Sequence, residues 1–447
     1  MSFGTDLTQG SVLKKYIFFI IPIFLSSFMQ QLYNTADVLV VGNFVGDSAL
    51  AAVGSTGSIT HLILNLFLGL SLGTNVVCAR FFGANNTEGL SRTTHTSVLL
   101  AIISGIFLAI VGVVFSKDLL ILMGTPHDVI DEATLYMKIF FLGSPASMLY
   151  NFGSSVLRAV GDTKRPLYIM LFSGLVNVLL NLFCVLVLKI GVAGVAIGTV
   201  ASQIVSAIIV LYLLAKNNSD FKLRFSKLKI HKRELMQIIA IGIPSGLNGI
   251  TFSASNVIIQ STINSFGKAA VAGASAAGNI DGYGFLFLAA VEQGAITFVG
   301  QNMGAKQYNR VKKIAKIAIS VGFFLTFITF CAMFFAGETM LGLFADEASR
   351  SSVVEMGMIK LMCSTVMHFV FVPAQALSGV LKGMGRAVSV TVINITCTCI
   401  TRILWILFIF PLNPTLETLY IVYPISWALA SVATIIVYFP LRNKSFK

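Results

Sequence analysis

Residues 16–41 read YIFFIIPIFLSSFMQQLYNTADVLVV, and the identity of this stretch decides the fold. A helix that crosses a bilayer needs about 20 mostly apolar residues, and this run supplies them. Two of its residues are out of place in a plain anchor. Pro22 interrupts helical hydrogen bonding and kinks the chain, and Asp37 is a carboxylate among apolar neighbours. An ionised carboxylate at mid-membrane costs roughly 2.5–3.5 kcal/mol on insertion scales, so it normally faces a cavity or a partner. At 1.5 Å per residue, Asp37 lies roughly 20 Å beyond Pro22, in the outer half of a bilayer. Solvation among headgroups is the bland alternative to a functional role.

The composition extends this reading to the whole chain. Of 447 residues, 56% are hydrophobic and 11% charged, against about 25% charged in a soluble domain. With a mean hydropathy of +0.87, this is an all-α polytopic membrane protein. Cys78, Cys184, Cys331, Cys363, Cys397 and Cys399 fall mostly in apolar segments and form no CxxC pair, which points to neither a disulfide framework nor a zinc site. The apolar run after Lys14 and Lys15 is too long for a signal-peptide h-region. Residues 1–15 are expected in the cytosol, as a short interfacial helix.

Twelve apolar segments recur, at about 16–41, 54–79, 93–116, 132–155, 166–188, 194–215, 236–262, 272–300, 314–336, 351–380, 388–410 and 418–440. Residues 216–234 form the one substantial hydrophilic stretch and read as a linker between 1–215 and 235–447. With the N-terminus inside, 24 of the 31 Lys and Arg fall on the inner side, Lys382 and Lys447 among them. Lys117, Lys189, Lys268 and Arg350 fall outside, and Lys138, Lys360 and Arg402 fall within spans. Such a bias places both termini in the cytosol. It also accounts for the net charge of +13 without nucleic acid, although the basic linker has the composition to touch anionic lipid.

The two halves repeat each other. IPIFLSSFMQQLYN from Ile21 is echoed by IPSGLNGITFSASN from Ile243, and CARFFGANN from Cys78 by VGQNMGAKQ from Val299. ALAAVGSTGSI from Ala49 is echoed by AVAGASAAGNI from Ala270, YMKIFF from Tyr136 by MIKLMC from Met358, and VLRAVGD from Val156 by VLKGMGR from Val380. The prolines give an offset of 244 − 22 = 222 and the GA turns 304 − 83 = 221. Six spans per half is an even number, so both halves enter the membrane in the same orientation. The expected plan is two six-helix bundles related by a pseudo-two-fold along the membrane normal, with a site between them.

These residues resemble the multidrug and toxic compound extrusion (MATE) family along essentially the whole chain. The matching pieces are the P-x14-D first helix with Gly42 and ALAAVG, the turn CARFFGA, LRAVGDTKRP after span four and FVGQNMGA after span eight. The resemblance implies a cation site at Asp37, Asn177, Asn181 and Thr199. Asn177 and Asn181 are four apart and share a helical face; hydrogen bonding between helices is the alternative use for such amides. Some members carry an acid where this chain has Asn181, so one carboxylate serves the site.

The second half has Ile258 or Ile259 at the place of Asp37, and no acid in the Thr251–Ser253 neighbourhood where some members carry one. Span eight instead carries Asp281 and Glu292, eleven apart and therefore near one face. They are candidates to attract an organic cation, with His368 and Gln375 of span ten on the same wall. The alternatives are that Glu292 pairs with Arg402 or Lys360, and that His368 bonds between helices. GLSLG at 69–73 fits a nucleophile pattern but lies inside an apolar span, where Gly69 and Gly73 make a packing face. The chain has no GxxxxGK[ST] loop for ATP and no HExxH, so neither ATP-driven pumping nor metalloprotease action is expected.

The expectation is a non-enzymatic secondary transporter in the cell (inner) membrane, a monomer with no resident cofactor or metal. Organic cations or amphipathic drugs would leave in exchange for Na⁺ or H⁺ by rocking of the two lobes. An isolated carboxyl group in an apolar cavity can be run by a proton, because desolvation favours its neutral form. The Asn and Thr oxygens suit Na⁺ equally, at Asp37. A lipid-precursor flippase is the alternative. Pro22 is read either as a bend used in the cycle or as plain architecture, since Pro244 matches it.

Overall fold

Long apolar runs have one open-ended way to satisfy their backbone in lipid, the helix. Every regular element is helical in the computed structural model, which describes residues 4–217, 221–344 and 350–446. The first half holds α1 (Val12–Phe44), α2 (Asp47–Gly83), α3 (Thr87–Leu122), α4 (Ile130–Leu142), α5 (Ser144–Ala159), α6 (Lys164–Leu182) and α7 (Gly191–Lys216). The second holds α8 (Lys232–Asn264), α9 (Lys268–Gly304), α10 (Tyr308–Gly342), α11 (Arg350–Ser364) and α12 (His368–Gly383). It ends with α13 (Ala387–Asn394), α14 (Thr401–Leu404), α15 (Leu416–Tyr420) and α16 (Val422–Ser445). No helix precedes Val12 among the described residues, which corrects the expected interfacial helix at 1–15; Thr5 N–H instead donates to Val160 O at 2.9 Å.

Among the described residues, ten helical stretches are long and apolar enough to span a membrane, and α11 with α12 makes an eleventh, bent by 49°. α4 and α5, parted at Gly143, occupy the twelfth place at 132–155. The fourth and tenth spans were expected to be continuous; both are broken. Hydropathy reports where a chain is apolar and says nothing of where its helix changes direction. The repeat survives at this level too. α1 and α8 each have 33 residues, α2 and α9 each 37, α5 and α12 each 16. Even the turns match: Asn85 and Lys306, 221 apart, adopt φ of 53° and 56°.

Two compact units emerge, residues 1–9 with 21–246 and residues 10–20 with 247–447. The opening turns of α1 thus belong to the second unit and those of α8 to the first. Within the first unit, a Cβ on Gly69 would fall 2.3 Å from Gly246 N, and one on Gly73 would fall 2.4 Å from Ile238 O. The small-residue face of α2 is therefore where α8 docks. Within the second unit, a Cβ on Gly294 would meet Ile20 of α1 at 2.6 Å.

The hydrophilic stretch after α7 is fastened to the first unit. Phe221 and Leu223 are buried in its core beside Val210 and Leu214. Arg224 N–H donates to His95 Nε2 at 3.1 Å and His231 N–H to Thr96 Oγ1 at 3.1 Å. Residues 218–220 of this stretch and Lys447 lie outside the described residues.

Candidate functional site

The first unit encloses a cavity of about 120 Å³ whose walls include Gln30, Asn34, Asp37, Asn151, Asn177 and Thr199. The close approach that builds it depends on glycines. A Cβ on Gly174 of α6 would overlap the Tyr33 ring of α1, and one on Gly198 of α7 would sit 2.0 Å from Asn181 Oδ1. Three helices meet here because two of them carry no side chain at the crossing.

The four residues assigned to a cation site come together. Asn181 Nδ2 donates to Asp37 Oδ1, and Thr199 Oγ1 lies 3.3 Å from Asp37 Oδ2. Asn177 Nδ2 donates to Thr199 Oγ1 at 3.3 Å. The Oδ1 atoms of both Asn177 and Asn181 are buried without a hydrogen-bond partner among the described residues. An unpaired buried acceptor costs about 1–3 kcal/mol, and two of them beside one carboxylate make an oxygen set suited to a hard monovalent cation or a proton donor. Asp37 itself is half-buried, so the site stays open to the cavity.

Pro22 lies within α1, whose helix runs through it, and its carbonyl accepts from Ser26 Oγ at 2.8 Å. It stands just past the point where α1 passes from the second unit to the first. Pro244 stands two residues before α8 makes the opposite passage.

The second unit has its own cavity, of about 260 Å³, walled by Asn248, Phe252, Phe285, Glu292, Gln375 and Thr398 among others. Of the four residues assigned to substrate, Glu292 and Gln375 share this wall. Asp281 and His368 are not on it; they are buried together, with Asp281 accepting from Thr365 Oγ1 at 2.8 Å and lying 3.3 Å from His368 Nε2. His368 further packs edge-on to Phe285, with ring centroids 4.6 Å apart. Eleven residues bring two side chains to one face but leave them about 16 Å apart along the axis.

Glu292 does have a basic partner, though neither of the two anticipated. Lys382 Nζ donates to Glu292 Oε1 at 2.7 Å. Lys382 was counted with the cytosolic turn and is instead only 4% exposed. Lys360 donates to Ala274 O at 2.8 Å, and Arg402 to Ser255, Asn256 and Ser426. The repeat held a signal for Lys382, since its counterpart is Arg158, 382 − 158 = 224.

A family model described as MatE matches residues 22–183 and 244–407, one match in each half. The chain is 27% identical over 397 residues to the probable multidrug resistance protein YoeA of Bacillus subtilis (strain 168), covering 87% of this chain and 85% of that one. It is 32% identical over 307 residues to the probable multidrug resistance protein YpnP of the same organism, covering 68% of each. The solved outward-facing structure of a multidrug resistance MATE family transporter superposes with a TM-score of 0.91 at 21% identity, covering 100% of this chain and 99% of that one.

Proposed function

From the premise that the chain belongs to the MatE family of multidrug efflux transporters, we propose that it is a secondary active exporter coupled at Asp37. Organic cations or amphipathic drugs leave the cytosol as Na⁺ or H⁺ moves inward. The observation that carries this reading is the cluster at Asp37: one carboxylate, held by Asn181 and Thr199, with two buried carbonyl oxygens left over.

Both ions fit the same residues. With Na⁺, the Asp37 carboxylate supplies the charge, and the Asn and Thr oxygens replace water. With H⁺, Asp37 becomes a donor and finds an acceptor among those orphaned oxygens. Either event removes a net charge from an apolar cavity, which changes which conformation of the lobe is cheaper. Rocking of the two lobes then alternates access, and bending at Pro22 would transmit occupancy along α1. The termini face the cytosol of a cell-membrane protein, by the charge bias of the loops.

Substrate occupies the second unit's cavity, whose aromatic walls suit amphipathic rings. There Glu292 is partly neutralised by Lys382, so cation selectivity rests on Gln375 and the rings as well as on charge. Among the described residues, neither cavity's walls include Lys or Arg, which disfavours a phosphate-bearing lipid precursor. The test is ethidium efflux from vesicles carrying the full-length protein, with either a pH or a Na⁺ gradient imposed. Efflux should follow one of them; well-expressed protein that responds to neither overturns the exchange reading.

A further inference from the structure

The repeat relates more than the fold, because it also carries the Asp37 site onto a place of opposite charge. An offset of 221 takes Asn181 to Arg402 (402 − 181) and Asn177 to Thr398 (398 − 177). An offset of 222 takes Asn34 to Asn256 (256 − 34). Past the last hairpin, the IIV triplets at 208–210 and 435–437 set the offset at 227, which takes Thr199 to Ser426 (426 − 199). In the first unit, Asn181 and Thr199 converge on an acid of α1. In the second, Arg402 Nε lies 3.3 Å from Ser426 Oγ, and Nη1 donates to Asn256 Oδ1 at 3.0 Å and Ser255 Oγ at 3.1 Å, both on α8. Counterparts of Asn181, Thr199 and Asn34 thus meet in the second unit, with a guanidinium where the amide stood, while Ile259 stands at the place of Asp37.

Arg402 is 0% exposed, and all its acceptors are neutral. Among the described residues its Nη2 has no hydrogen-bond partner, and no carboxylate lies within ion-pair distance. The two acids of span eight are engaged elsewhere: Glu292 by Lys382, Asp281 by Thr365 and His368. Ring faces of Tyr423 at 4.6 Å and Phe252 at 5.8 Å cushion the cation, a weaker compensation than a carboxylate would give. Burying an unpaired charge costs several kcal/mol. A mere brace between helices is made more cheaply by an amide, as Asn181 makes it in the other half. An ionisable side chain kept in a membrane span at this cost is by default a functional group.

We propose that Arg402, positioned by Asn256 and Ser426, which accept from it, binds one monovalent anion, either chloride or the carboxylate of a bound solute. A single guanidinium with one unengaged nitrogen suits one negative charge and falls short of the basic cluster a phosphate needs. Phe252 is the door. Its ring covers the guanidinium on one side and lines the second unit's cavity on the other, so a swing of that ring joins the two. The site stands on its own residues, whether or not Asp37 drives exchange.

The chain's two tryptophans report on it. Trp405 lies three residues after Arg402 and Trp427 directly after Ser426. Purified full-length protein is titrated with sodium chloride replacing sodium isethionate at constant sodium, and intrinsic fluorescence is read; a second titration uses sodium benzoate. A saturable change with chloride identifies a free-anion site, and a change with benzoate alone identifies a carboxylate site. Arg402→Gln should abolish the response, and Ser426→Ala should shift its midpoint several-fold. No response to either anion overturns the proposal, as does an unchanged response in folded Arg402→Gln. Should Arg402→Gln fail to fold, Ser426→Ala decides, and an unshifted midpoint there overturns it equally.

Discussion

Replacing Asp37 by Asn preserves the side chain's volume and deletes its charge, so it separates the ion site from the fold. The carboxylate accepts from Asn181 and Thr199. A hydrogen bond to a charged group contributes about 1.5–3 kcal/mol and a neutral one about 0.5–1.5, so the local loss is about 2 kcal/mol. Relief from burying a charge offsets part of that loss, and the neighbouring core around Val40, Val41, Val185 and Val195 is untouched. The protein should therefore insert and unfold much as before. For the coupling ion the loss is larger. A unit charge about 4 Å away in a medium of effective dielectric 20 contributes about 4 kcal/mol, which is roughly a thousandfold in affinity. Ethidium efflux under the imposed gradient should fall to the rate of protein-free vesicles, at equal expression. Normal gradient-driven efflux from Asp37→Asn would show that this carboxylate is not the coupling group.

Gly198→Ala should cripple coupling without touching an acid, because its Cβ would sit 2.0 Å from Asn181 Oδ1; the ion concentration for half-maximal efflux should rise at least tenfold, and an unchanged value would refute the close-approach reading. In the second unit, Lys382→Met leaves the half-buried Glu292 without its cation and should lower stability by about 1–3 kcal/mol, the cost of an unsatisfied polar group. Adding Glu292→Gln to it should recover most of that loss in thermal unfolding, whereas additive losses would mean the two are not a pair. Pro22→Ala should slow turnover while leaving equilibrium substrate binding nearly intact, and Pro244→Ala should do much less; equal effects would make both prolines architecture.

What the sequence could reveal depended on whether a feature is periodic or singular. The spans and the repeat are periodic, so hydropathy and self-comparison find them, and the offsets of 221 and 222 recur in helix lengths and turn conformations. The Asp37 cluster was legible through Asn177 and Asn181 on one helical face and through resemblance to a family, and the fold closes 144 and 162 residues of separation to join Asn181 and Thr199 to the acid. Lys382 escaped because a single base beside a turn has the same composition as a topology signal, and its partner is 90 residues away. The breaks at Gly143 and after Ser364 escaped because an apolar average has no direction. Phe221 and Leu223 were visible as apolar residues in a basic stretch, but their burial depends on His95 and Thr96 reaching the backbone beyond them.

The passages of α1 and α8 between units make the same point about function. Each helix changes unit within two residues of its proline, and a proline already lacks one hydrogen bond and weakens the helix where it sits. The repeat thus gives both halves a weak point at the same place, by architecture. It gives only the first half an acid fifteen residues further on, 37 − 22. If the asymmetry between the two prolines comes from Asp37, then in the Asp37→Asn background Pro22→Ala and Pro244→Ala should shift thermal unfolding equally, and unequal shifts would place the asymmetry in the architecture.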